Sequence, residues 1–207
     1  LSWGGVEYPW SSPVIVGMAT LSLLLTALLV YTERGSAEPV LSPHIFHNRV
    51  FVIATSVMGL TFMGLFGAFV FLPLFFQLVL GKDPAQAGLL LAPMTGGMII
   101  TSAIGGRIVS ATGRYKVLPV VGLAAATVAF GILMLAARTG GGIGLIELSL
   151  IALGCGVGLV MPNLVVAIQN SVGRSEQGAA TATSGFFRSL GGPFGVAMSG
   201  AIMTAQL

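Results

Sequence analysis

One fixed positive charge lies deep inside an apolar run of this sequence. Arg188 follows Gln177, where a helix is expected to begin, by eleven residues. It is therefore about 16 Å along that helix, near the middle of a bilayer. An Arg at that depth has to face the protein interior, beside a partner or a wet cavity. We interpret Arg188 as a residue that shapes a central cavity or couples to protonation. The alternative is a structural Arg held by backbone carbonyls and by the hydroxyl of Ser184 or Ser189.

The remaining titratable side chains are weaker candidates. Glu147 is in an apolar run but about one turn from its end, so we interpret it as interfacial rather than as a buried proton carrier. His44 and His47 have the spacing to share a helix face, but two ligands without nearby cysteines do not specify a metal site. Cys155 is the single cysteine and is expected to be a packing residue. No bound metal is expected.

The sequence does not favour an enzyme or a channel. An intramembrane serine protease needs a Ser and a His base at membrane depth, and although Ser184 is in an apolar run, both histidines are in a loop. A channel would need paired half-helices or a filter-like sequence, and Met161-Pro162-Asn163 occurs once. We therefore expect no enzymatic activity and no cofactor.

The composition is that of an integral membrane protein. The chain has 207 residues, of which 55% are hydrophobic and 7% charged, and its mean hydropathy is +0.98. Soluble domains are typically about 25% charged. The net charge of +3 comes mainly from cations in short loops, which act as topology signals and give little support to nucleic-acid binding. The expected partner is the lipid bilayer.

Apolar runs predict six transmembrane helices in one all-α bundle. The runs cover residues 13–31, 50–80, 85–106, 117–136, 143–168 and 178–207. Pro73 predicts a kink in the second run, which is too long for one perpendicular span, and Pro93 interrupts the third. We divide the chain into residues 1–49, which hold an outer interfacial loop, the first helix and a polar connection, and residues 50–207 with the other five helices.

Loop charges assign the two sides of the membrane. The segment Gly105–Lys116 reads as a compact basic turn with three of the nine cations. The second, fourth and sixth loops together hold six cations, and the first, third and fifth hold two. By the positive-inside rule the even-numbered loops are cytoplasmic, and the first residues are outside.

Five stretches of the sequence carry a family resemblance: WGGVEYPWSSP (3–13), LPLFFQLVLG (72–81), AGLLLAP (87–93), GRIVSATGRYK (106–116) and ATATSGFFRSLGGPFGVA (180–197). In the same order, they resemble the fourteen-helix drug:proton antiporter branch of the major facilitator superfamily. The resemblance implies that the first helix is a linker helix between two halves and that the other five belong to a six-helix C-terminal half. We expect a fragment, because the chain starts at Leu1 rather than Met and stops inside an apolar run.

Halves of this superfamily are nested, inverted three-helix repeats, in which the first two helices of each triplet line the cavity and the third is peripheral. The run at 117–136, with Thr127 as its polar side chain, fits the peripheral place. The substrate-cavity candidates on the other helices are Arg188, Asn163, Gln77, Thr95, Phe62, Met94, Met98 and Met161.

Part of the basic turn is similar to the cytoplasmic loop motif of the superfamily. Gly106, Gly113 and Arg114 match the motif, and Lys116 lies one place beyond its next basic residue, where this chain has Tyr115. Ser110 and Ala111 stand where the motif has its Asp-Arg pair. We therefore expect the turn to set topology rather than to latch a gate.

Several glycines have the spacing that lets membrane helices approach closely. Gly154 with Gly158, and Gly191 with Gly195, are four residues apart. Gly191, Gly192 and Pro193 also weaken the last helix, so a bend used in transport is the alternative to a packing role.

The resemblance implies a secondary transporter of the cell membrane that exports drugs or other amphipathic compounds, with a role in antibiotic resistance. It implies proton antiport and alternating access, so the partners would be a small amphipathic substrate, protons and the missing N-terminal half of the same chain. The coupling acids would lie in that half, and this piece alone is expected to transport nothing. A same-fold transporter of a sugar, siderophore or lipid, or a bundle that does not transport, is the alternative.

Overall fold

The computed structural model describes residues 11–34, 43–140 and 142–205, and every regular element in this part is helical. The helices are α1 (Pro13–Arg34), α2 (Arg49–Leu78), α3 (Pro84–Leu89), α4 (Ala92–Thr112), α5 (Val117–Thr139), α6 (Ile143–Ser171) and α7 (Gln177–Ala205). Two 3-10 helices, Pro43–His47 and Arg174–Glu176, precede α2 and α7. The all-α prediction is confirmed. The predicted interfacial loop falls almost wholly on residues 1–10, outside the described residues, as does part of the polar connection.

Four helical stretches of the described chain are long and apolar enough to cross a membrane. They are Arg49–Leu78, Pro84–Thr112, Val117–Thr139 and Ile143–Ser171. Helix α7 has 29 residues but is less apolar, because it contains Arg188 and several Gly, Ser and Thr residues. It packs along α2 over most of its length, so it runs through the same layer as α2.

The third predicted helix is two helices in the structure. Asp83 begins α3, where its carboxylate accepts a hydrogen bond from the Gln86 N–H at 2.8 Å. Pro93 is in the first turn of α4, a position where the missing N–H of a proline costs no intrahelical bond. Pro73 is inside α2, which continues through it as one helix.

The basic turn is shorter than the sequence analysis predicted. Helix α4 runs to Thr112, so Gly106 and Arg107 are helical residues and not part of a loop. The helix ends at Gly113, whose φ of 67° is left-handed and favours glycine, and whose N–H donates to the Val109 carbonyl at 2.8 Å. The prediction was wrong at Gly106 because nothing before Gly113 stops the helix. Of the four loop-motif residues, Gly113, Arg114 and Lys116 form the actual turn.

Helix α6 is at the centre of the bundle, with α4 and α5 packed on it and α2 alongside. Helix α7 packs chiefly on α2. The most deeply buried large side chains form two clusters, one including Phe76, Met94, Leu150 and Leu153 and the other Phe51, Met58, Leu164 and Ile168. Helix α5 exposes Val120, Val121 and Val128 on its outer side, as expected for a peripheral helix facing lipid.

Glycines set the closest approach between α4 and α6. A Cβ added to Gly154 would overlap the carbonyl oxygen of Met94, and one added to Gly158 would overlap that of Met98. We call this contact the α4–α6 seam. Only a residue without a side chain lets the two backbones approach this closely.

The same arrangement joins α2 and α7. A Cβ on Gly191 would overlap the carbonyl oxygen of Gly59, and one on Gly195 would overlap that of Met63. We call this contact the α2–α7 seam. Helix α7 continues through Pro193, which is exposed.

Candidate functional site

Two of the proposed cavity residues are inside the bundle rather than on an open surface. Met94 and Asn163 are each 1% exposed. Met94 underlies Gly154 in the α4–α6 seam, and the Asn163 side-chain amide donates to the Leu159 carbonyl at 2.6 Å. Their place on a cavity wall stays a prediction, because polarity and apolarity alone do not show which way a residue faces.

Two further candidates lie near the ends of their helices rather than near the middle of the membrane, and a third contributes to packing between helices. Gln77 is the second-last residue of α2, and Thr95 is near the start of α4, where its hydroxyl donates to the Leu91 carbonyl at 3.3 Å. Both are half-buried at the end of the bundle where α2 ends. Met98 is half-buried too, and its backbone forms part of the α4–α6 seam.

Arg188 contacts an aromatic surface. It is an exposed residue of α7, and its guanidinium carbon is 5.1 Å from the centre of the Phe62 ring on α2. Such a distance allows attraction between the cation and the negative face of the ring. The Phe62 and Phe66 rings are 5.6 Å apart and tilted by 30°. Gly192 is beside Phe66, since an added Cβ would be 3.3 Å from that ring.

The directions in which α2 residues face around the helix axis show which side of the bundle this surface occupies. Thr61 and Gly64 line a groove of about 290 Å³ between α2 and α5, together with Phe130. Because each residue of an α-helix turns by about 100°, Phe62 and Phe66 are about 100–160° away from those two positions. They therefore face away from the peripheral helix α5. Thr61, next to Phe62 in the sequence, faces the peripheral side instead.

The side of α6 turned away from α5 carries Met161 and Glu147. Gly156 faces α5, because a Cβ there would be 2.9 Å from the backbone nitrogen of Ala126. Met161, five residues later, is rotated from it by about 140°, and Glu147, nine residues earlier, by about 180°. Both half-buried side chains are thus on the side of α6 turned away from α5.

Three of the candidates lie at similar depths in the membrane. Helices α2 and α7 begin where α6 ends, since the Asn48 side-chain amide donates to the Ser171 carbonyl. At 1.5 Å per residue from that end, Met161 is about 15 Å deep, Arg188 about 16 Å and Phe62 about 20 Å. We call the surface formed by Phe62, Phe66 and Arg188 the Arg188 face.

Among the side chains that the structure describes, no ion pair involves Arg188. An ion pair near the beginning of α7 joins His44 Nδ1 to Glu176 Oε1 at 3.7 Å. Glu147 is about 20 Å from the level of Arg188 along the helix direction. The guanidinium therefore has an aromatic neighbour and no nearby described carboxylate.

The hydroxyls considered as supports for a structural Arg bind elsewhere. Ser184 Oγ donates to the Thr181 carbonyl at 2.9 Å, and Ser189 Oγ donates to the Gly185 carbonyl at 2.9 Å. Both bonds are made to the backbone of α7 itself. They leave the N–H groups of Arg188 available on its open side.

A polar cluster between α2 and α6 was missed by the sequence analysis. Asn48 Oδ1 accepts from the Val50 N–H at 2.9 Å, which caps α2, and Asn48 Nδ2 binds the end of α6. An adjacent pocket of about 340 Å³ is lined by His44, Ile45, His47, Asn48, Ser171, Val172, Gly173 and Glu176. An Asn immediately before an apolar run is a common helix-capping signal.

The histidines of that pocket do not form part of a larger ligand set. In the described part of the chain, no three His, Cys, Asp or Glu side chains are close enough together to hold a metal ion. His44 faces Glu176, and the two histidines are in the short helix Pro43–His47.

Known proteins resemble this chain along almost its whole length. The sequence profile of the Major Facilitator Superfamily matches residues 1–196. The multidrug transporter protein MdtP of Bacillus subtilis is 37% identical over 207 residues, which are 100% of this chain and 38% of that protein. An uncharacterized MFS-type transporter of Mycobacterium tuberculosis is 36% identical over 97% of this chain and 29% of its own length. A tetracycline resistance determinant of Streptomyces rimosus is 31% identical over 97% of this chain and 58% of its own length. The chain thus spans only part of these relatives.

Proposed function

Because the chain belongs to the major facilitator superfamily, we propose that it supplies five helices of the C-terminal half, and a linker helix, to an exporter of amphipathic compounds. Family membership together with its apolar helices makes it a multi-pass membrane protein. We further propose that the whole protein is in the cell membrane and works by alternating access, exchanging its substrate for protons. A multidrug transporter and a tetracycline resistance determinant among the relatives support export over import.

The observation that carries this proposal is the Arg188 face. A guanidinium about 16 Å deep in a membrane protein needs water or a polar partner. The face turns away from the peripheral helix α5 and presents aromatic rings beside the charge. A polar contact on a largely apolar wall suits the binding of amphipathic small molecules. The Arg188 face would then line the space between this half and the other half of the protein.

Transport by the full-length protein tests the function. We would reconstitute it in vesicles and follow three fluorescent probes with one ring system and different charge: pyrenesulfonate, pyrenesulfonamide and pyrenylmethyl-trimethylammonium. At least one probe should move against its gradient when a proton gradient is imposed, and a protonophore should stop the movement. Protein-free vesicles are the control. Movement of none of the probes, or movement indifferent to the proton gradient, would contradict the proposal.

A further inference from the structure

We propose that the Arg188 face binds the acidic group of its ligand, so that the site takes aromatic anions in preference to neutral or cationic analogues. This inference rests on the proposed export function for its biological meaning. The binding itself is a property of named side chains and can be measured without transport. Neither the family match nor the named relatives assign a charge to the ligand.

The guanidinium has the geometry to receive such a group. Its contact with Phe62 is made to the face of the ring, 5.1 Å from the ring centre. This contact leaves N–H groups of Arg188 able to make paired hydrogen bonds to a carboxylate or sulfonate. A cation at membrane depth that lacks a nearby described carboxylate is stabilised when a ligand brings the anion.

The other described carboxylates cannot serve in place of a ligand. Asp83 caps α3, beyond the far end of α2. Glu176 faces His44 at the opposite end of the bundle, and Glu147 is about 20 Å from the level of Arg188. Glu176 and Glu147 would have to cross about half the membrane to reach the guanidinium, and Asp83 most of it.

The aromatic neighbours point to a ligand rather than to a carboxylate from the rest of the protein. Phe62 and Phe66 form a tilted pair of rings beside the charge. A protein carboxylate would use the guanidinium alone. A flat aromatic anion would contact both the charge and the ring surface.

The same charge discriminates against cations. A cationic amphiphile stacked on Phe62 would place its charge close to the guanidinium in a surrounding of low dielectric constant, where like charges repel strongly. The face therefore selects by repulsion as well as by attraction. A neutral analogue would keep the ring contact and lose the charge-assisted hydrogen bonds.

Equilibrium binding to the purified full-length protein tests the inference. Fluorescence titration with the three pyrene probes would compare wild type with Arg188→Gln, Arg188→Lys and Phe62→Leu, with Arg138→Gln as a control on the peripheral helix. Wild type should bind pyrenesulfonate at least tenfold more tightly than the trimethylammonium probe. Arg188→Gln should weaken pyrenesulfonate at least tenfold and change pyrenesulfonamide less than about twofold. Arg188→Lys should keep part of the anion preference.

Phe62→Leu provides the second measurement. It keeps the charge, so it should weaken all three probes by similar factors while the order of preference is unchanged. If Arg188→Gln proves unstable, Arg188→Lys and Phe62→Leu still decide the question. Equal loss for anion and neutral probe in the Arg188 variants, or tighter binding of the cation by wild type, would overturn the inference. Anion binding without proton-driven movement would instead remove the export function and leave the binding site.

Discussion

The α4–α6 seam and the α2–α7 seam are packed in the same way but leave very different surfaces beside them. In both, two glycines four residues apart face backbone carbonyls of the neighbouring helix. The α4–α6 seam is closed, and Met94 and Asn163 within it are 1% exposed. The α2–α7 seam opens on one side onto the Arg188 face. Glycine spacing therefore reports close packing in both places, and only the α2–α7 seam has a charge with aromatic neighbours beside it.

The largest effect is expected in the α4–α6 seam. Gly154→Ala should destabilise the full-length protein on the order of 1–3 kcal/mol, because the new Cβ has to displace the Met94 backbone. Thermal unfolding of the purified protein would measure this loss. Gly96→Ala is the matched control on α4, since nothing is within 4 Å of its added Cβ.

Gly195→Ala sharpens the comparison between the seams. Its loss of stability should be similar to that of Gly154→Ala, because the Met63 carbonyl is equally close to an added Cβ. It should also weaken pyrenesulfonate binding, since pushing α7 from α2 separates Arg188 from Phe62. Gly154→Ala should leave binding by the folded fraction unchanged. The same binding defect in both variants would show that the two seams do not differ in function.

A smaller loss of stability is expected when Asn48 is replaced, because its side chain caps α2 and binds the end of α6. Asn48→Ala removes the cap of α2 and the bond to the end of α6, and should cost about 1–2 kcal/mol. Asn48→Asp keeps an oxygen that can cap the helix and loses the amide donor, so it should cost less. Thermal unfolding gives both values. Equal losses would mean that the cap contributes nothing and the bond to α6 everything.

The sequence was sufficient to predict the all-α bundle, because uncharged apolar runs of about 20 residues nearly always form membrane-spanning helices. It also gave the depth of Arg188, which follows from counting residues along a helix. Helix breaks were less certain: Pro93 marks the α3–α4 junction, but α4 extends to Gly113 because no residue before it stops the helix.

The direction in which each candidate faces was the part that sequence could not supply. Met94 and Met161 are similar residues in similar apolar runs, yet one is under Gly154 and the other is on the side of α6 away from α5. These helices are apolar all round, so hydrophobic periodicity gives little information about rotation. Contacts with neighbouring helices determine the rotation of each helix about its axis, and these contacts depend on the whole bundle.

The central claim, that the Arg188 face borders a water-filled substrate space, can be tested at two adjacent positions of α2. Phe62→Cys and Thr61→Cys would be made in a full-length Cys155→Ala background and exposed to a thiol reagent that does not cross membranes. The thiol at position 62 should react, and pyrenesulfonate should slow the reaction, whereas the thiol at position 61, facing the groove beside α5, should not react. Labelling at 61 with none at 62 would contradict the account.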